Sequence, residues 1–115
     1  MERSINYEIT ASEIVLPSKT CISVGLIVNE LATNAIKYGF NDTVQPRFTV
    51  SLEVSKTECV VRAANSGNPF PSHIELDNPD TLGLRLILSL TEQLEGTLEL
   101  IREPSPEFTL RFPLD

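Results

Sequence analysis

An α+β fold, with helices layered on a mixed, mostly antiparallel sheet, is what the sequence predicts, and three patterns predict it. Phe48, Val50, Leu52 and Val54 alternate with polar residues, the period of a half-buried strand. Two longer segments, 18–38 and 82–94, carry apolar residues at helical spacing. Short turn-rich links, Lys56-Thr57 and Pro104-Ser105-Pro106, join strands that follow one another directly, which suits antiparallel neighbours.

The elements follow in order. Residues 5–9 and 14–16 are short β-like runs around the polar turn Ala11-Ser12-Glu13. Pro17-Ser18 sets up a helix start with Ser18 as the expected N-cap, and Gly39 ends that helix. After a polar loop, 41–45, and Pro46, strands 48–54 and 59–63 form a hairpin. Residues 65–80, rich in Pro, Asn, Ser and Asp and without periodicity, form a loop of about 16 residues; loops of that length in compact domains are functional or disordered. The second helix has apolar Leu84, Ile87, Leu88 and Leu90, and Gly96 is the expected cap. Strands 97–101 and 108–112 close a β-β-α-β-β-loop-α-β-β order.

With 115 residues the chain is one domain, 1–115, large enough for a single core. A hydrophobic fraction of 41% and a charged fraction of 22% are ordinary for a globular protein. The net charge of −7 argues against a nucleic-acid surface, which needs clustered Lys and Arg. It leaves room for one bound nucleotide, because a divalent cation and backbone amides can supply a local positive field. Cys21 and Cys59 lack paired spacing and lie in apolar segments, so both are expected as buried, reduced thiols. The longest uncharged apolar run, 21–28, falls far short of the roughly 20 residues of a membrane span. Met1-Glu2-Arg3-Ser4 leads into no signal-peptide core, and a cytoplasmic location without membrane contact is expected.

Within the first helix, Glu30, Asn34, Lys37 and Tyr38 fall at i, i+4, i+7 and i+8 and share one face. Leu26, Ile27, Leu31, Ala35, Ile36 and Phe40 give the same segment the look of a core helix. Polar groups on a buried helix are costly unless paired. Their chemistry suits a metal-bound polyphosphate: an amide oxygen for a hard cation, an amine for phosphate, a carboxylate to orient or deprotonate a nucleophile. The same spacing also suits an ordinary solvated ladder of i,i+4 contacts.

Three segments in order carry a resemblance that separates these readings. Asn29-Glu30-Leu31-Ala32-Thr33-Asn34-Ala35-Ile36-Lys37-Tyr38 resembles the N box of the GHKL superfamily. Asn65-Ser66-Gly67-Asn68-Pro69-Phe70-Pro71 follows a strand where that family has its Asp-x-Gly-x-Gly box, and Thr81-Leu82-Gly83-Leu84-Arg85-Leu86-Ile87 resembles the second glycine box. The likeness extends over nearly the whole chain, 5–114, and is most similar to the catalytic domains of bacterial and archaeal sensor histidine kinases with a short lid. It implies a two-layer α/β sandwich of the Bergerat type that binds ATP with Mg²⁺.

By that resemblance Glu30 is the catalytic carboxylate, Asn34 coordinates Mg²⁺ and Lys37 meets phosphate. Tyr38 lines the adenine side or packs under the lid. Asn65 and Gly67 belong to the adenine end, and Gly83 and Leu84 to the phosphate end, at a helix N-terminus. Arg85 contacts phosphate or is solvated. The implied partners are a phosphoacceptor histidine domain, in cis or in trans, and a response regulator, with a monomer expected for the isolated domain. The single histidine, His73, is expected as a solvated loop residue.

Three positions depart from the family pattern. Asn65 replaces the glycine-box Asp and keeps an acceptor oxygen without the charge. Pro69 replaces its second Gly, fixing φ and removing a donor. Ser105-Pro106 replaces a Gly-Thr pair before the last strand. These changes keep two alternatives open: a non-catalytic, kinase-like module that docks a response regulator or phosphotransfer partner, and a serine kinase of the anti-sigma-factor type.

Overall fold

The computed structural model describes residues 6–11, 16–39, 46–76 and 81–114. In chain order the elements are β1 (Asn6–Ala11), α1 (Ser18–Asn34), a π-helical turn (Ala35–Gly39), β2 (Arg47–Val54), β3 (Glu58–Asn65), α2 (Leu82–Gln93), β4 (Thr97–Ile101) and β5 (Glu107–Pro113). One five-stranded sheet runs β1-β2-β3-β5-β4. Only the β1–β2 pair is parallel, and α1 provides the crossover that a parallel pair requires.

Period-2 alternation builds the inner face of the sheet. Val50 stands opposite Ala63, which stands opposite Phe108; Leu52, Val61 and Leu110 form the next row. Against this face α1 sets Val24, Ile27, Leu31 and Ala35, and α2 sets Leu84, Ile87 and Leu90. Ile27, Leu84 and Ile87 are wholly buried. The same alternation carries Asn65 onto the inner face at the end of β3, opposite Phe48 and below α1. The other face is a polar surface, where Arg62 pairs with Glu53 at 3.8 Å and Arg111 with Glu58 at 3.4 Å. An antiparallel sheet can leave such a face to water.

The hairpin, the long helical segments and the mostly antiparallel layer agree with the expected fold, and four local expectations are corrected. Pro17, not Ser18, occupies the N-cap position of α1 and makes no side-chain cap, so Ser18 is the first helical residue. The α-helix gives way at Ala35 to the π turn, which ends at Gly39. Leu26 and Ile36 are exposed, as are Ile22 and Cys21, because the helix turns this side away from the sheet; Cys21 is therefore not a buried thiol. Finally, Gly96 is not the left-handed cap of α2. Glu95 is, with φ of 59°, donating its N–H to the Glu92 carbonyl while Gly96 donates to that of Thr91, the paired bonds of a Schellman motif. Gly96 is needed for another reason: a Cβ there would lie 2.5 Å from the Arg111 carbonyl oxygen.

The expected strand 14–16 and Phe40 fall on or next to residues outside the described part, and so does the side chain of Tyr38. Leu16 itself is not in a strand. Among the described residues no helix is long and apolar enough to cross a membrane.

Candidate functional site

Four polar residues of the described chain are buried, and three of them have satisfied side chains or ordinary roles. The Thr91 hydroxyl donates to the Ile87 carbonyl at 2.7 Å, the usual resolution for a threonine inside a helix. Asn65 donates its Nδ2 to the Ser66 carbonyl at 3.0 Å, and Ser23 lies on α1 at the far end from the polar stripe. Asn34 differs. It is 7% exposed, and its Nδ2 is the one buried side-chain polar atom among the described residues without a hydrogen-bond partner. Such an atom costs about 1–3 kcal/mol when left without a partner.

The other atom of the same amide, Oδ1, lies near the start of α2. One turn earlier on α1, the half-buried Glu30 directs its carboxylate over the start of α2: a methyl group added at Gly83 would lie 2.7 Å from Glu30 Oε2 and 3.9 Å from Asn34 Oδ1. Gly83 thus leaves the Glu30 carboxylate room at the start of α2, and its role there is close approach, not an unusual φ. The Thr81 hydroxyl accepts from the Leu84 N–H at 3.3 Å and caps α2, leaving Leu82 and Gly83 in the first turn, where helical N–H groups lack intrahelical acceptors. A carboxylate, a carboxamide and a helix N-terminus therefore converge at one place. Nothing on α2 neutralises the helix end, since its first turn carries no acidic residue.

The second half of the site lies at the ends of β3 and β5. Asn65, Phe70, Pro106 and Phe108 meet Leu31, Asn34 and Ala35 around a cavity of only about 10 Å³. Asn34 therefore touches both halves. The Asn65 N–H donates to the Pro106 carbonyl at 3.1 Å, tying the altered glycine box to the altered segment before β5. Gly67 has φ of 103°, a conformation that only glycine adopts without strain. Ser66 fixes the same corner: its N–H donates to the Arg47 carbonyl, and its hydroxyl accepts from the Arg47 N–H at 2.9 Å.

The structure brings Glu30, Asn34 and Gly83 together and places Asn65 on the other side of Asn34. Lys37 lies exposed on the π turn, so the wide turn, not uniform helical spacing, sets its direction. Leu84 contributes by packing: its side chain is wholly buried and its N–H is held by Thr81. Arg85 and His73 are exposed. Among the described residues no group of three or more His, Cys, Asp or Glu side chains could hold a metal by itself. The donor chemistry of Asn34 nevertheless fits a Mg²⁺ ion held by one protein oxygen plus phosphate oxygens. Phe70 and Arg102 escaped the sequence reading; the only signal for Phe70 was an aromatic inside the glycine box, and Arg102 gave none.

A family model described as histidine kinase-like ATPase domain matches residues 3–102. The chain belongs to the histidine kinase-like ATPase domain family. Blue-light-activated histidine kinase 2 of Erythrobacter litoralis is 28% identical over 103 residues, covering 86% of this chain and 29% of that protein. The solved histidine kinase domain of an Erythrobacter litoralis blue-light-activated kinase superposes with a TM-score of 0.87 at 24% identity, over 96% of this chain and 52% of that one. The Acinetobacter baumannii histidine kinase AdeS gives 0.78 at 18% identity, over 96% and 55%. The chain thus spans about half the length of these solved kinases and under a third of the curated relative. The family rests on the family model, and the superpositions show the fold.

Proposed function

We propose that this domain binds ATP with Mg²⁺ between α1 and the N-terminus of α2 and donates the γ-phosphoryl group to a histidine on a separate domain, as part of a two-component sensor kinase. The observation that carries this reading is the buried, unpartnered amide of Asn34 beside Glu30 and Gly83. A buried donor left free by the protein is available to a ligand oxygen.

In this reading the phosphate chain lies over Gly83, where first-turn N–H groups of α2 face its oxygens. Asn34 Oδ1 would hold Mg²⁺, which when bound would neutralise phosphate charge. Glu30 accepts a hydrogen bond from the N–H of the attacking imidazole and so orients its other nitrogen toward the phosphorus. Lys37 adds a point charge near the phosphates. Catalysis of this kind rests on positioning and charge neutralisation more than on covalent chemistry. Asn65 Oδ1, with Nδ2 committed to Ser66, accepts from the exocyclic amine of adenine. The phosphoacceptor domain acts in cis or in trans, a response regulator takes the phosphoryl group, and the isolated domain is a cytoplasmic monomer.

The small cavity beside Asn65, Pro106 and Phe108 favours a second reading, a kinase-like module that docks a partner without nucleotide. Calorimetric titration with a non-hydrolysable ATP analogue, with and without Mg²⁺, separates the two. The kinase reading requires Mg²⁺-dependent binding that falls about 100-fold in Asn34→Ala, a loss in the range seen when a metal-supporting contact is removed. Absence of heat at millimolar analogue and at two temperatures would favour the docking module.

A further inference from the structure

The base end of the cleft is not merely narrow; it is occupied. Phe70, 4% exposed, packs edge-to-face on Phe108 with ring centroids 5.6 Å apart and an interplanar angle of 85°. Both rings line the cavity of about 10 Å³, room for about one water. A cleft for a ligand of drug size needs about 300–1,000 Å³. With Phe70 in this seat the cavity has no room for a base.

Arg102, at the exit of β4, holds Phe70 there by two contacts and its neighbour Pro71 by a third. Its carbonyl accepts the Phe70 N–H at 3.0 Å, its Nη1 donates to the Pro71 carbonyl at 2.9 Å, and its guanidinium carbon stands 5.5 Å from the Phe70 ring centroid. The aromatic sits between Pro69 and Pro71, which restrict the backbone on both sides. The segment therefore has little freedom to release the ring by local rearrangement while Arg102 grips it.

We propose that Arg102 is a positioning residue that sets nucleotide affinity by latching Phe70 into the base end of the cleft. The proposal rests on the nucleotide reading above. A protein whose binding-competent state is only fractionally populated shows an affinity reduced by that fraction, so loosening the latch tightens binding. This is the reverse of what removing an ordinary ligand contact does.

The test measures two quantities in the wild type, Arg102→Met and Arg102→Lys: amide exchange at Phe70 and Asn65, and affinity for the ATP analogue with Mg²⁺. Arg102→Met should speed exchange at Phe70 about fivefold and tighten binding by a similar factor, as the cation–π contact and the charged hydrogen bond to Pro71 are lost. Arg102→Lys, which keeps the charge but not the planar fork, should fall between. The Asn65 amide, held by Pro106, should be unchanged.

Equal acceleration at Phe70 and Asn65 would show general loosening and overturn the latch. Faster exchange at Phe70 alone with unchanged or weaker nucleotide affinity would overturn it too. If neither wild type nor variant bound nucleotide, the reading beneath the proposal would fall, and the exchange data, which need no ligand, would tell that failure from the other.

Discussion

The two ends of the cleft meet at Asn34 and are built on opposite principles. At the end formed by Glu30, Asn34 and Gly83, polar groups converge and a buried amide goes without a partner. At the end formed by Asn65, Phe70, Pro106 and Phe108, backbone and amide groups are paired within the protein and rings fill the space. One end is held ready at a cost in stability; the other is stabilised by closing. The difference teaches that one cleft can leave a polar group unpaired at one end while its own side chains fill the other.

Substitutions at the two ends should therefore have unequal stability effects. Phe70→Ala removes a well-packed ring and should lower the unfolding free energy by about 3–5 kcal/mol. Asn34→Ala, a change of a residue nearly as buried, should leave stability within about 1 kcal/mol of wild type, because the lost packing is offset by removal of an unsatisfied amide. Urea unfolding of both variants checks this; equal losses would dissolve the contrast.

A smaller effect sharpens the picture of the open end. Gly83→Ala places a methyl group against the Glu30 carboxylate, whose flexible end must swing away. Phosphoryl transfer to an added acceptor domain should fall about 10- to 100-fold, the scale of a misplaced catalytic group, with stability little changed. A rate equal to wild type would mean that the Glu30 position over Gly83 is not used in the reaction.

The smallest effect lies outside both ends and serves as a control. Glu95→Gly relieves a non-glycine residue held at φ of 59° and should raise stability by about 0.5–1 kcal/mol, without changing nucleotide affinity. Thermal unfolding measures the first and titration the second. A change in affinity would mean that the remote end of α2 communicates with the cleft.

The open end was legible in the sequence, and the closed end was not. Glu30 and Asn34 stand one turn apart on a helix, so local spacing alone puts them side by side. The β2–β3 hairpin was legible for the same reason, its period and turn being local signals. Phe70 and Arg102 are brought together by the sheet across a gap that no local pattern spans, and backbone carbonyls, that of Pro71 among them, provide two of the three contacts. Side-chain chemistry says nothing of where a carbonyl will point. The left-handed cap at Glu95 is not legible because glycine is the residue expected at such a position, whereas here crowding against Arg111 claims Gly96 for the next one. The side of Lys37 was obscured because uniform helical spacing was assumed through Asn34, where the turn widens.

That widened turn makes the end of the N-box helix a matter of chain length as well as residue identity. Between Ala35 and Gly39 the backbone winds with an extra residue per hydrogen-bonded ring relative to an α-helix. Losing one residue there would let ordinary winding resume and swing every later side chain, Lys37 included, to another bearing on the helix. Gaining one in the α-helical part would do the same to Asn34 relative to Glu30. Related chains that keep these letters but differ by a single insertion or deletion in the segment would thus present the lysine to a different neighbour, and a matching motif would no longer mean a matching geometry.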